Sequence, residues 1–370
     1  MEYKIVISDR EFNVIDEIQD IASNIQWSYN RIGGCGAFSF SVPIRFCEET
    51  FLGGNFNVKI YVKDTSANSY VLWYQGRIED KSHDVGGVDE TIRISGNGYQ
   101  SQLKDIYVDR DYTSTEASAI VTDIMDNDVV PNTDITYNYS GNIEVTSFTF
   151  DSLEINKDAQ DAISTIAGVV GSREWGVDAN RRLYFRQRSS SVGFRFPIDD
   201  KVLRWNNDTS SQEIVNRVII IGGDVAGSPF TRVVNDTSSQ LKWKRRDKVV
   251  NNSSIVTNAV ADQYGAAIFA DYNDITRRAR LDILDTQQIE TTIPIPLVQV
   301  VAKARTWGTL KWGTFLYSGR VSYQVNRINY KIDKVSNMTI GLELGRLRPN
   351  VAEDLSQLEY RIDQLANTGV

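Results

Sequence analysis

Period-two alternation of apolar and polar side chains dominates the first hundred residues. Val58, Ile60 and Val62 oppose Lys59, Tyr61 and Lys63; Ile92 and Ile94 alternate with Thr91, Arg93 and Ser95; Phe38, Phe40 and Val42 form a third set. Successive side chains of an extended chain point to opposite faces, so each set predicts a strand with one face buried. Breakers follow at short intervals: Gly33-Gly34, Gly53-Gly54-Asn55, the stretch Asp64 to Ser69, and Gly86-Gly87. Many short strands parted by turn signals predict an antiparallel sandwich or barrel over 1–110.

Near residue 111 the period lengthens. Thr113 and Glu116 form a capping box, and Ala117, Ile120, Val121 and Ile124 then follow at helical spacing to about Met125. A second helix is expected after Asn156, with Ala159, Ala162, Ile163, Ile166, Ala167 and Val170 on one face and a stop at Gly171. Trp175-Gly176-Val177 and Leu183-Tyr184-Phe185 flank the turn residues Asp178-Ala179-Asn180 and predict a hairpin. These elements make 111–200 a small α+β domain.

Strand patterns resume after Trp205, and Arg217-Val218-Ile219-Ile220-Ile221 reads as a strand buried on both faces. A helical insertion near 255–272 interrupts this second β unit, 201–348, before strands return through Val321, Tyr323 and Val325 and through Met338, Ile340, Leu342 and Leu344. The echoed pentads Asp208 to Gln212 and Asp236 to Gln240 lack the period of a repeat array and read as coincidence. At the end of the chain, Val351, Leu355, Leu358, Ile362 and Leu365 recur at spacings of four, three, four and three. Pro349 precedes them, Asn350 stands at an N-cap and Glu353 completes a capping box. In a heptad frame Leu355 and Ile362 fall at a, and Val351, Leu358 and Leu365 at d, the seam of a coiled coil. A helix of about fifteen residues is marginal alone in water, so 349–370 is predicted to be a C-terminal oligomerisation helix. The stripe does not choose between dimer and trimer, and it also suits a helix folded back on its own chain.

Length and composition fit a globular chain of two or three domains: 370 residues, 41 % hydrophobic and 24 % charged. No apolar run approaches the roughly 18 residues of a membrane span, and Met1-Glu2-Tyr3-Lys4 does not open a signal peptide, so no membrane insertion is expected. Cys35 and Cys47 are too few for a disulfide framework and wrongly spaced for zinc, and both read as reduced. The net charge of -8 is unevenly spread. Residues 1–200 hold 18 basic and 31 acidic groups, a net -13, whereas 201–350 hold 21 and 13, a net +8. Opposite poles on one chain favour ordered contacts with copies or neighbours.

The catalytic inventory is nearly empty. The single histidine, His83, has no serine in a nucleophile-elbow motif to serve and reads as a surface residue at a strand end. No zinc or EF-hand pattern occurs, Asp199-Asp200 and Glu48-Glu49 read as solvated acids, and Gly222-Gly223 lacks the ending of a phosphate loop. Catalytic, metal and cofactor sites are therefore all expected to be none. The run Lys242-Trp243-Lys244-Arg245-Arg246 could hold phosphates, but in an acidic chain it equally suits docking onto an acidic neighbour.

Several segments in this order carry a resemblance: Trp27-Ser28-Tyr29-Asn30-Arg31-Ile32-Gly33-Gly34-Cys35-Gly36-Ala37-Phe38-Ser39-Phe40-Ser41-Val42-Pro43, then Tyr74-Gln75-Gly76-Arg77-Ile78-Glu79-Asp80, then Ser95-Gly96-Asn97-Gly98-Tyr99, followed by helices, a Trp-containing hairpin and a second β unit. Over residues 1–350 this resembles the baseplate hub or tail-tip hub proteins of long-tailed bacteriophages, relatives of the hub portion of type VI secretion spikes. The resemblance implies two tube-type antiparallel β-barrel units per chain, arranged as a homotrimer that adapts a six-fold tail tube to a three-fold tip. It further implies a structural role in the virion, at the distal end of the tail, after assembly in the host cytoplasm. The implied partners are copies of itself, a tail tube or distal tail protein, a tip or fibre protein and a tape-measure protein, with DNA passing unbound through the ring. The alternative reading is a carbohydrate-binding β protein or weak glycoside hydrolase, suggested by 10 % aromatic residues and many Asn and Asp.

Overall fold

A computed structural model describes residues 2–19, 21–44, 55–64, 68–84, 90–138, 141–171, 173–197, 202–253, 255–285, 295–302, 319–332 and 338–345. The expected helix 349–370 lies outside the described residues, as do Cys47, Glu48-Glu49, Asp199-Asp200, Trp307 and Trp312. The described chain is mainly β, organised by a 13-stranded sheet. From one edge to the other the path runs Val202–Ser210, Thr276–Asp285, Met338–Gly345, Val325–Ile332, Ser23–Asn30, Gly33–Pro43, Thr91–Gly98, Ser69–Asp84, Asn57–Asp64, Tyr3–Ser8, Val14–Ile18. Every neighbour on this path is antiparallel. The two β units read from the sequence thus meet edge to edge in one sheet.

The alternating sets account for this. Val58, Ile60, Val62, Phe40 and Ile94 are fully buried, and Met338–Gly345 alternates buried and half-buried along its whole length. The seam between the units is the pairing of Ser23–Asn30 with Val325–Ile332, which sets Trp27 directly beside Tyr330. Their rings stack at 5.1 Å with 15° between planes, and Trp73 stands edge-on to both, at 6.3 and 5.4 Å. Offset and edge-on ring pairs each add about 0.5–1.5 kcal/mol beyond the area they bury.

A second core forms a lobe beside the sheet. A two-stranded ribbon, Tyr107–Glu116 with Thr149–Asp158, packs Val108, Phe150, Leu153 and Ile155 against helix α1, Ala117–Ile124, and helix α2, Ala159–Val170. Helix α3, Thr237–Trp243, and helix α4, Asn258–Tyr272, accompany a three-stranded sheet of Arg217–Val225, Ser228–Asn235 and Asp247–Asn251. Val218, Ile220, Val260 and Phe269 join the same apolar cluster as Ile120 and Ile163. The range 201–348 therefore contributes to both cores.

Two sequence expectations change in detail. Thr113 does not cap α1: it stays in the ribbon, and Glu116 is the N-cap, accepting from Ala119 N at 3.0 Å and Thr146 N at 2.8 Å. Arg217–Val225 is not buried on both faces, because only Val218 and Ile220 face α4, while Ile221 stays exposed. The echoed pentads fall in different elements, the first ending the strand Val202–Ser210 and the second opening α3, where Asp236 caps the helix through Ser239 N at 3.0 Å. By contrast α2 ends where the sequence puts its stop, at Gly171 with φ of 67°, where a Cβ would strike Ala267.

Candidate assembly interfaces

The sheet leaves two outer edges open among the described residues. At one, Val14–Ile18 pairs only with Tyr3–Ser8 and exposes Val14 and Ile15 beside Asp16 and Glu17. At the other, Val202–Ser210 pairs only with Thr276–Asp285 and exposes Leu203 and Arg204; the next strand brings Arg277, Arg278 and Arg280. Unpaired N–H and C=O groups along such edges template the addition of another strand, and soluble proteins normally blunt or cover them. The first edge strand carries Asp16 and Glu17, with Glu17 paired to Lys4 at 3.2 Å, and the second carries Arg204 and Asp208, with Arg278 behind it paired to Glu213.

Where sheet, lobe and hairpin meet, charge is buried. The hairpin Arg173–Val177 with Leu183–Gln187 docks on the sheet in parallel register, Gly176 beside Gly33 and Val177 beside Gly34. Gly34 has φ of 80°, and a Cβ there would overlap the Val177 backbone, so only glycine permits the approach. Immediately before Trp175, Glu174 is 0 % exposed. Its Oε1 accepts the Ile295 N–H at 2.9 Å, which ties the strand beginning at Leu297 to the hairpin, while Oε2 has no hydrogen-bond partner among the described residues. Burial pushes its carboxyl up to about 7, outweighing the pull of Ile295 N–H, Arg31, Arg188 and Arg186. Burial likewise pulls the Arg31 guanidinium down to about 10. Arg31 donates to Gln324, its backbone N–H donates to Asn326 O at 2.8 Å, and Arg188 reaches Asp271 of α4 at 3.1 Å. Hairpin, first β unit, second β unit and α4 are thus held at one ionic junction.

The residues singled out from the sequence have other fates. Val351, Leu355, Leu358, Ile362 and Leu365, the expected oligomerisation stripe, lie outside the described residues. His83 is exposed on Ser69–Asp84, opposite Ile92. Cys35 is buried and its thiol is pushed up to about 12 by that burial, leaving it unreactive. Gly222 and Gly223 are not a phosphate cradle: a Cβ on either would overlap Ile255 O or Ser253 O, and Gly223 N–H donates to Ile255 O at 3.1 Å. In the basic run, Lys242 and the Trp243 indole both bind Asp274, at 3.0 and 3.1 Å, and Arg245 binds Asp247 at 2.6 Å. Lys244 and Arg246 point no side chain at a counter-ion among the described residues. No group of three or more His, Cys, Asp or Glu converges among the described residues, and none of their helices is long and apolar enough to cross a membrane. Sequence reading missed Glu174 and Arg31, because burial of a lone acid inside a strand leaves no local pattern.

No protein-family model and no curated protein matches the chain. Solved structures do. The chain is similar to the prophage MuSo2 43 kDa tail protein from Shewanella oneidensis, with a TM-score of 0.63, 14 % identity, and 94 % of this chain and 98 % of that one covered. A tail protein from Neisseria meningitidis MC58 matches with a TM-score of 0.64, 13 % identity and coverage of 94 % and 97 %. Prophage tail protein gp18 from Listeria monocytogenes EGD-e follows at 0.58, 13 % and coverage of 97 % and 99 %. The fold is that of bacteriophage tail proteins over nearly its whole length, and the likeness to the baseplate and tail-tip family read from the sequence stands at the level of fold.

Proposed function

We propose that this chain is a structural hub of a phage tail tip or baseplate, a homotrimeric ring in the virion that joins the tail tube or distal tail protein to tip or fibre proteins. The observation that carries the reading is the single sheet uniting strands of both β units, open at two edges among the described residues, in a fold shared with phage tail proteins. Each of the two β units then acts as a tube-type barrel segment, and three chains supply six such segments around one axis. Head-to-tail pairing of Val14–Ile18 with the next copy's Val202–Ser210 removes both edges, as closure of a cyclic oligomer requires. The helices of 349–370 gather at the axis through Val351, Leu355, Leu358, Ile362 and Leu365 and point toward the tip. DNA passes through the ring without a specific contact, a tape-measure protein is a further partner, and assembly takes place in the host cytoplasm. Such a part has no catalytic duty. The carbohydrate reading loses its footing because Trp27 and Trp175 are buried and Trp73 packs against the seam rather than offering an open ring for a sugar.

Electron-microscopy class averages of the purified chain test the proposal: three-fold rings are expected, and single protomers at every concentration would refute it. Leu358→Asp puts a charge in the heptad seam and is expected to raise the ring's dissociation concentration at least about tenfold.

A further inference from the structure

The outermost strand of the sheet has little apolar burial of its own. Along Val14–Ile18 only Ile18 is buried, and Val14, Ile15 and Glu17 face solvent. Its backbone pairs with Tyr3–Ser8 alone, across a register shift at Ile7 and Ser8. The Val14 end is held by the turn before it. There Asp9 N–H donates to Asn13 O at 2.9 Å, Asn13 N–H donates to the Asp9 carboxylate at 2.8 Å, and Phe12 N–H donates to Asp9 O at 3.2 Å.

Phe12 sits in this turn with φ of 67°, a conformation that suits glycine or asparagine and is an outlier for a bulky side chain. Its ring packs against the apolar cluster of the lobe, and the Arg181 guanidinium stands over it, 4.0 Å from the centroid. Arg181 lies in the turn of the hairpin Arg173–Val177 with Leu183–Gln187 and is itself left-handed, with φ of 63°. Its carbonyl accepts from Thr136 N–H at 2.9 Å, and its guanidinium donates to Asp134 O at 3.4 Å and lies 5.8 Å from the Tyr99 ring. Two strained turns from distant parts of the chain thus meet through a cation and a ring. Such strain persists only where the surroundings over-determine it, and it collects at clamps and switches. A cation within about 6 Å of a ring is drawn to its negative face, more strongly as water is excluded, and both side chains here are half-buried.

We propose that Phe12 and Arg181 form a latch that positions the Val14–Ile18 edge for strand addition. Closed, the latch fixes the turn to the lobe and holds Val14–Ile18 flat beside Tyr3–Ser8, so that its outer N–H and C=O groups form a fixed row. Open, both backbones relax toward ordinary φ, the turn lifts from the lobe, and a strand with one buried side chain frays. Phe12 and Arg181 are positioning residues, acting through the strand rather than on what pairs with it. The inference rests on the head-to-tail edge pairing proposed above and makes that pairing conditional on the lobe.

Hydrogen exchange on the full chain, diluted to monomer, reads the latch, and sedimentation velocity over a concentration series reads assembly. Phe12→Gly removes ring and strain together, and Arg181→Gln removes the cation while keeping a polar chain. Each is expected to speed exchange of the Val14–Ile18 amides about tenfold and to raise the dissociation concentration about tenfold. The amides of Asn57–Asp64 and the main denaturant transition should stay where they are. The double variant should do no more than either single change, because both break one contact, and Arg181→Lys, which keeps a cation for the ring, should recover to within about threefold of wild type. Edge amides that exchange at the wild-type rate in both single variants overturn the latch, and so does faster exchange with an unchanged dissociation concentration; the ring, judged by wild-type association, stands in either case. A main transition that falls together with the edge makes Phe12 an ordinary core residue and overturns the positioning role. A wild-type chain that stays monomeric overturns the ring and the positioning role together.

Discussion

The two seams that join distant parts of this chain are chemical opposites. At the sheet seam, Trp27, Tyr330 and Trp73 interlock as rings and carry no ionisable group in the physiological range. At the hairpin junction, Glu174 is buried with one carboxylate oxygen unpaired, beside arginines that do not compensate its desolvation. The first seam holds whatever the pH, because its strength is apolar burial. The second is conditional, because a buried carboxylate favours the neutral form and its charged form weakens the fold. A chain built this way has a permanent sheet seam and an adjustable attachment between sheet and lobe.

Breaking the aromatic seam should have the largest effect. Trp27→Ala is expected to cost about 3–5 kcal/mol in denaturant unfolding, since it empties a packed site and strips Tyr330 of its stacked partner. A cost below about 1 kcal/mol would mean the units do not depend on the seam. The ionic junction is sharpened by pH. Below 4.5 both folded and unfolded chains hold Glu174 protonated; between 4.5 and about 7 the unfolded chain releases the proton while the folded chain keeps it. Stability from this group therefore falls as pH rises through that window and stays low above it, by roughly 3 kcal/mol in all. Glu174→Gln keeps an acceptor for Ile295 N–H, so the wild-type minus variant difference in melting temperature should slope across the window. A flat difference would show the carboxyl titrates normally.

Gly34→Ala should follow, costing about 2 kcal/mol or more through positive φ and overlap with Val177, and it should loosen hairpin amides in hydrogen exchange while sparing Tyr3–Ser8. Equal loosening of both would make hairpin and sheet one cooperative unit. The smallest effect is expected from Asp158→Ala, about 1 kcal/mol for losing the cap on Asp161 N, confined to α2. Because Asp158 caps the end of α2 opposite to the one that leads into the hairpin, this change should leave the pH slope untouched.

Legibility in the sequence followed the range of the interactions. Alternation at Val58, Ile60 and Val62 and the helical spacing of Ala159 to Val170 are local signals, and both elements lie where the pattern predicts. Caps were harder: at Glu116 the carboxylate reaches Thr146, 30 residues away, so a local Thr-x-x-Glu rule misassigned the helix start. The pairing of Trp27 with Tyr330 and the burial of Glu174 depend on contacts across most of the chain and leave no periodic trace. The fold was thus legible as strands and helices, the edges and charge poles partly so, and the junction not at all.

The seam strands also set a timetable. Arg327 donates to Asn30 across 297 residues of sequence, so on the ribosome the Ser23–Asn30 edge emerges long before its mate. At about 5–20 residues per second the wait is roughly 15–60 s, during which a nearly complete half-sheet offers an unpaired, aromatic-bearing margin to every other nascent chain nearby. Slow decoding or overproduction should therefore favour tangles between immature copies, and co-translational shielding of that margin would govern yield more than the stability of the finished protein does.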